Sequence, residues 1–197
     1  DFIESELNGG VKEVLGESKN FTNLHLVFEC SRMLKVLKFF FSLYEQNYSK
    51  EQILEFITAI DSDGNCFLHY TAKCSFSEEV LKFAWTKIES LIEDKKKLKN
   101  FLLMKNDCGL NALMWSTEKE FSFCFLFEQG YYKYFDVKEF AYETDKNGQH
   151  FLHLLAKNGS VPMLKIALEK LKIELSDAKF HNFVKLKSKY GRNILHY

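Results

Sequence analysis

Proline is almost missing from this chain: Pro162 is the only one in 197 residues. So few helix breakers argue for helices over a strand-and-turn fold. No Cys-x-x-Cys pair occurs, and the cysteines form an odd set, Cys30, Cys66, Cys74, Cys108 and Cys124. A secreted disulfide framework does not fit that set, and a reducing, intracellular and cytoplasmic setting is expected. There is no excess of either charge. With 27 basic against 27 acidic residues, a general electrostatic grip on nucleic acid or anionic lipid is not expected. No apolar run approaches the 18 or so residues a membrane span needs; Val36 to Leu43 is short and interrupted by Lys38. The acidic, polar opening Asp1-Phe2-Ile3-Glu4-Ser5-Glu6 is unlike a signal peptide. The lack of an initiator Met, and a stop at Leu195-His196-Tyr197 within a recurring phrase, suggest an excerpt of a longer protein.

What the chain has in quantity is phenylalanine, twenty of them, and one phrase repeated. Asp61-Ser62-Asp63-Gly64-Asn65-Cys66-Phe67-Leu68-His69-Tyr70 returns at Asn106 to Trp115, at Asp145 to Leu154 and at Ser188 to Tyr197. A worn copy without the glycine lies at Asn20 to Leu26. Counted on Asn20, Gly64, Gly109, Gly148 and Gly191, the intervals are 44, 45, 39 and 43 residues. Eight residues before each glycine stand Phe56, Phe101, Phe140 and Phe183; three earlier stand Ile53, Leu98, Val137 and Phe180. Two apolar registers locked to one glycine at a period of roughly 20 to 50 residues are the mark of a repeat architecture.

Each unit parses into three helical pieces. The first starts at the Leu-His pair, predicting helices over Leu24 to Cys30, Leu68 to Lys73, Leu113 to Thr117 and Leu152 to Lys157. The second carries apolar residues three and four apart in Val36-Leu37-Lys38-Phe39, Val80-Leu81-Lys82-Phe83 and Met163-Leu164-Lys165-Ile166. Its counterpart in the third unit, Phe121-Ser122-Phe123-Cys124-Phe125, alternates like a strand, but its register predicts helix. The third piece opens at Ser49-Lys50-Glu51-Gln52 with the Ser-x-x-Gln form of a capping box, and presents Ile53, Phe56 and Ile57, then Leu98, Phe101 and Leu102, on one helix face. Residues 1–19, with Val11, Val14 and Leu15 beside Gly9-Gly10 and Gly16, fit neither register and read as a lead-in or an eroded preceding repeat.

At Gly64-Asn65-Cys66-Phe67-Leu68-His69-Tyr70-Thr71-Ala72 the sequence resembles the ankyrin repeat, whose pattern is a glycine followed by Thr-Pro-Leu-His-x-Ala. Leu-His is kept at Leu24-His25, Leu68-His69, Leu152-His153 and Leu195-His196, and the later alanine at Ala72 and Ala156. The motif's proline is replaced by Asn23, Phe67, Ala112, Phe151 or Ile194. The period is about ten residues longer than the family's usual 33 or so, the added length being a third helix in place of the family's hairpin finger. The resemblance implies an all-α helical solenoid over residues 20–197, with units of about 20–63, 64–108, 109–147, 148–190 and a partial 191–197. A HEAT-like α-solenoid, which shares the longer period, is the alternative fold. It also implies structural roles for Gly64, Gly109, Gly148, Gly191, Leu68, His69, Leu152, His153, Leu195 and His196, the histidine bonding backbone across neighbouring turns.

Chemistry-bearing patterns were weighed against these structural roles. His150-x-x-His153 and Cys66-x-x-His69 have metal-ligand spacing but no unit supplies the remaining ligands, so no metal is expected. Asp61-Ser62-Asp63-Gly64-Asn65 resembles a calcium loop yet has Tyr70 where the closing Glu belongs. Cysteine–histidine catalysis is not expected of cysteines set inside repeat phrases. The basic run Asp94-Lys95-Lys96-Lys97-Leu98-Lys99 reads as the solvent face of a helix, and Tyr131-Tyr132-Lys133-Tyr134 as packing between units. Tyr70, Lys73, Trp115, Glu118, Leu154 and Lys157 are the candidate partner-binding residues, on the exposed side of the first helices if ankyrin geometry holds. The expected function is a non-enzymatic scaffold that binds a partner protein through a concave inner-helix surface, without cofactor. The alternative is a structural spacer in a larger channel, toxin or enzyme.

Overall fold

The computed structural model describes residues 34–73 and 78–197. The lead-in, the worn copy at Asn20 to Leu26 with its expected helix, Cys30 and Cys74 lie outside the described residues. Every regular element among the described residues is helical. The protein is all-α. By its internal contacts the chain divides into two compact units, residues 1–91 and 92–197.

In the first unit, helix α1 (Leu34–Asn47) buries Leu37, Phe41 and Tyr44, four and three apart, as one stripe against α2 (Lys50–Thr58) and α4 (Glu78–Leu91). The capping box expected at Ser49 forms, with Gln52 N–H donating to Ser49 Oγ at 3.3 Å and Ser49 N–H to Gln52 Oε1 at 2.9 Å. Helix α3 (Phe67–Lys73) is short and largely buried, and α4 covers it with Val80, Leu81, Ala84, Trp85 and Ile88 inward. Phe41 packs edge-on to Phe67 at 5.8 Å and to Phe83 at 5.7 Å, tying α1, α3 and α4 together.

In the second unit Asp94 caps α5 (Lys95–Leu102), accepting from Lys97 N–H at 2.9 Å. Helix α6 (Ala112–Trp115) runs into a 3₁₀ turn, Ser116–Glu118. Then α7 (Glu120–Phe125) continues as a π-helical stretch, Leu126–Tyr132. The strand-like alternation of Phe121, Phe123 and Phe125 loses to a second spacing that begins inside it. Phe123, Phe127, Tyr131 and Phe135 recur every four positions, and as a helix all four are buried. Helices α8 (Val137–Phe140), α9 (Phe151–Lys157), α10 (Val161–Glu174) and α11 (Asp177–Val184) follow, and a 3₁₀ turn, Ile194–His196, ends the chain.

The four glycine phrases fold into turns of one design. Gly64, Gly109, Gly148 and Gly191 have φ of 75°, 76°, 69° and 73°. In each, the glycine N–H donates to the carbonyl three residues back, and that earlier residue's own N–H donates to the carbonyl four residues ahead of it. The pairs are Asp61 with Asn65, Asn106 with Leu110, Asp145 with Gln149 and Ser188 with Arg192, at 2.8–3.0 Å. In the first three turns a side chain staples the loop from inside. Asp61 Oδ1 accepts from Asp63 and Asn65 N–H, Asn106 Oδ1 from Cys108 and Leu110 N–H, and Asp145 Oδ1 from Asn147 and Gln149 N–H, all within 2.7–3.0 Å. Within the second unit the turns also bond to one another: Lys146 N–H donates to Cys108 O at 3.0 Å, and Lys189 N–H to Asn147 O at 2.8 Å.

The staple needs only one acceptor oxygen on a short side chain. Asp145→Asn, which copies Asn106, is therefore expected to change stability by under about 1 kcal/mol, whereas Asp145→Ala strands two N–H groups and costs roughly 2 kcal/mol. Urea denaturation of the two variants checks this; equal losses would show that the carboxylate charge, not the hydrogen bonds, is what matters.

Candidate functional site

The candidate surface is built on the first helix of each unit, because the turn before it fixes where that helix starts. Asn111 caps α6, its side chain accepting from Met114 N–H at 3.0 Å, and Asn193 does the same for Leu195 N–H at 3.0 Å. Three residues on from the cap, the Leu-His histidine completes the arrangement from the other side. His69 Nδ1 accepts from Cys66 N–H at 3.1 Å, His153 Nδ1 from His150 N–H at 3.3 Å, and His196 Nδ1 from Asn193 N–H at 3.3 Å. A histidine stands here where a capping box has Glu or Gln, and its ring reaches the same donor.

Because Nδ1 of His153 accepts, its proton sits on Nε2, which lies 3.1 Å from Leu186 O and 3.2 Å from Arg192 O. The histidine of one phrase thereby holds the backbone leading into the next. In the third copy Met114, buried, takes the place of the histidine.

The leucine of the phrase is 1% exposed or less at Leu68, Leu113 and Leu152. The last copy differs: Ile194 is the buried residue, while Leu195, at 89% exposure, and His196 face outward. There the phrase forms a 3₁₀ turn, Ile194–His196.

Of the candidate binding residues in the first unit, Lys73 is exposed and Tyr70 is half-buried. The Tyr70 hydroxyl donates to Asp61 Oδ2, which ties the ring to its own turn. Burial opposes charge on Asp61, but hydrogen bonds from Tyr70, Asn65 and Asp63 outweigh it and hold the carboxyl below its ordinary range. That carboxylate is taken up by the hydrogen bonds of its own loop.

In the second unit Trp115 is half-buried, with Glu118 exposed in the following 3₁₀ turn; Lys157 is exposed at the end of α9. Helix α9 packs on α6 and on that 3₁₀ turn, so these residues belong to adjacent elements. Asn158 Nδ2 to Thr117 Oγ1 at 3.1 Å and Ser160 Oγ to Thr117 O at 3.3 Å fasten the two layers beside them. Leu154, at 9% exposure, lies below the surface and offers a partner little.

Cys66 is fully buried with Sγ 3.1 Å from His69 Nδ1, and burial pushes its thiol up to about 11, so it is no nucleophile at neutral pH. Among the described residues no three His, Cys, Asp or Glu side chains are grouped to hold a metal ion, and no helix is long and apolar enough to cross a membrane. Lys99 of the basic run pairs with Glu139 Oε2 at 2.8 Å and lies 5.1 Å above the Phe135 ring. Tyr131 is buried with its hydroxyl donating to Leu102 O, and Tyr132 lies 4.8 Å edge-on to Phe127. Of that cluster Tyr131 belongs to the interior, Tyr132 and Tyr134 are half-buried, and Lys133 is exposed.

Two recurring features were missed in the sequence. One is the staple residue, Asp61, Asn106 or Asp145, always three before the glycine; its recurrence as Asp or Asn was the available signal. The other is an ion-pair register between second helices. Lys87 pairs with Glu45 in the first unit, and Lys170 with Glu128 at 3.8 Å in the second; in each the lysine follows the glutamate by 42 residues. Comparison with protein-family models and with curated protein sequences gives no match.

Proposed function

We propose that the chain is a stack of divergent ankyrin-like helical layers that serves as a non-enzymatic scaffold, binding a partner protein through the concave inner-helix surface, on the exposed side of its first helices. The observation that supports it most is the recurrence of one turn design at Gly64, Gly109, Gly148 and Gly191, joined in the second unit by the bonds Lys146 N–H to Cys108 O and Lys189 N–H to Asn147 O. Turns fixed in this way let side chains on the first helices vary without disturbing the fold, which suits recognition. Trp115 is the anchor of this surface: a half-buried indole beside exposed Glu118, with Lys157 on the neighbouring α9, has the make-up of an interface hot spot.

The test is capture of partner proteins from a matched cell extract by wild type and Trp115→Ala, after circular dichroism shows that the variant keeps its helix content. Capture by the variant is expected to be about 10 to 100-fold weaker. Equal capture by both, or no protein retained by either, overturns the assignment.

A further inference from the structure

The second unit contains a buried histidine pair at the start of α9, where His150 is the N-cap residue and His153 accepts from its N–H. His150 is 1% exposed, and neither ring nitrogen has a hydrogen-bond partner. Its ring stacks on Phe183 of α11 at 4.7 Å and 27°, and its centroid lies 4.0 Å from that of His153. His153 uses Nδ1 as acceptor for the His150 N–H and points Nε2 at Leu186 O and Arg192 O. Between them the two rings hold α11 and the last turn, residues 188–193, against α9. Neutral imidazole suits the unpartnered His150 site and the Nδ1 acceptor of His153, whereas the Nε2–H bonds from His153 to Leu186 O and Arg192 O are kept in either charge state. A proton on His153 Nδ1 removes the acceptor of the His150 N–H, and a proton on His150 places an unpaired charge against the Phe183 ring.

We propose that His150, packed between His153 and Phe183, is an acid-operated latch: its protonation releases residues 177–197 from the rest of the second unit while the preceding helices stay folded. The titratable and charged groups around the pair are Asp145 from the preceding turn, Tyr142 beyond Phe183, and Tyr197 and Arg192 from the last turn. The Tyr142 ring is 4.9 Å from Phe183 and the Tyr197 ring 5.9 Å from His153, with the Arg192 guanidinium 5.7 Å from the Tyr197 ring. Asp145 favours the charged form of His153, but its carboxylate is already committed to the N–H groups of Asn147 and Gln149.

Burial, with the neighbouring His153 adding to it, lowers the His150 pKa to about 3; burial also lowers that of His153, against the two carbonyls and Asp145. A histidine whose folded pKa is depressed adds stability above its unfolded value of 6.5, and that stability is lost as pH falls from 6.5 towards 3. At pH 5 His150 alone shifts the latch equilibrium by about 30-fold.

Native-state hydrogen exchange at pH 7.5 and pH 5.0, corrected for intrinsic rates, tests the latch. Protection of residues 177–197 is expected to fall about 30-fold or more, with residues 112–135 falling by less. In His150→Asn, which copies the cap of the sister phrases, the fall is expected to shrink at least fivefold, and in His181→Asn, an exposed site, to stay as in wild type. Unchanged protection, a fall equal in both segments, or the wild-type fall in His150→Asn overturns the proposal. A measurement on wild type guards against a variant that does not fold: the His150 ring-proton NMR signal is expected not to titrate between pH 8 and 5, and titration near 6.5 in the folded protein overturns it.

Discussion

Phe140→Ala is expected to destabilise the protein by about 3 to 5 kcal/mol, the largest loss of any single truncation proposed for this chain. Phe140 is 1% exposed and sits at the centre of an aromatic cluster. Its ring lies 5.4 Å from Tyr131, 5.6 Å from Tyr132, 6.1 Å from Phe127, 6.2 Å from Phe135 and 6.3 Å from Phe151. Those neighbours come from the π-helical stretch, the segment after it and α9, so no one of them can collapse into the space without dragging its element along. The cavity therefore stays open, and its cost adds to the lost transfer energy. Phe140→Leu, which keeps most of the volume, is expected to cost under about 1.5 kcal/mol. Urea denaturation gives both numbers; a loss under 1 kcal/mol for the alanine variant would mean that the cluster is not a packed core.

The second large effect is expected at Gly109. An alanine there must hold φ near +76°, which costs about 1 to 2 kcal/mol for a residue with a Cβ. Its Cβ would also stand 2.7 Å from Lys146 N and 3.0 Å from the Asp145 carbonyl carbon, both backbone atoms of the next turn. The next turn has to retreat and its hydrogen bond to Cys108 O is lost, adding about 1 kcal/mol for a total of roughly 3. Gly191 has almost the same φ, 73°, but nothing within 4 Å of where its Cβ would be. Gly191→Ala is therefore expected to cost only about 1 to 2 kcal/mol. The difference between the two, read from paired denaturation curves, isolates the contribution of turn packing from that of backbone strain. Equal costs would mean that turn packing contributes nothing.

Much of this architecture was legible in the sequence because it is written in residues with few alternatives. A glycine recurring with an apolar pair eight and eleven residues before it located four turns and the helix ahead of each, and Ser49 with Gln52 marked a helix start. The interior of the turns was less legible. Asp61, Asn106 and Asp145 look like ordinary solvated turn residues, and only the backbone shows that each oxygen faces inward to two N–H groups. Leu154 read as exposed because helical spacing gives a direction but not the neighbours that cover it, and it is buried. The π-helical stretch was hidden because Phe121-Ser122-Phe123-Cys124-Phe125 obeys a period of two at its start, while the period of four that prevails needs residues out to Phe135.

The central claim, that successive turns of the second unit rest directly on one another, is tested most simply at two backbone amides. Lys146 and Lys189 are exposed residues at the tips of their turns, where an amide would ordinarily exchange with solvent at close to the free-peptide rate. Their N–H groups instead donate to Cys108 O and Asn147 O of the turn before. Residue-resolved hydrogen exchange by NMR at neutral pH is expected to find both amides slowed at least 100-fold relative to a free peptide. Free-peptide exchange at Lys146 and Lys189 would contradict the account, because it would mean that the turns recur in sequence without touching in the folded protein.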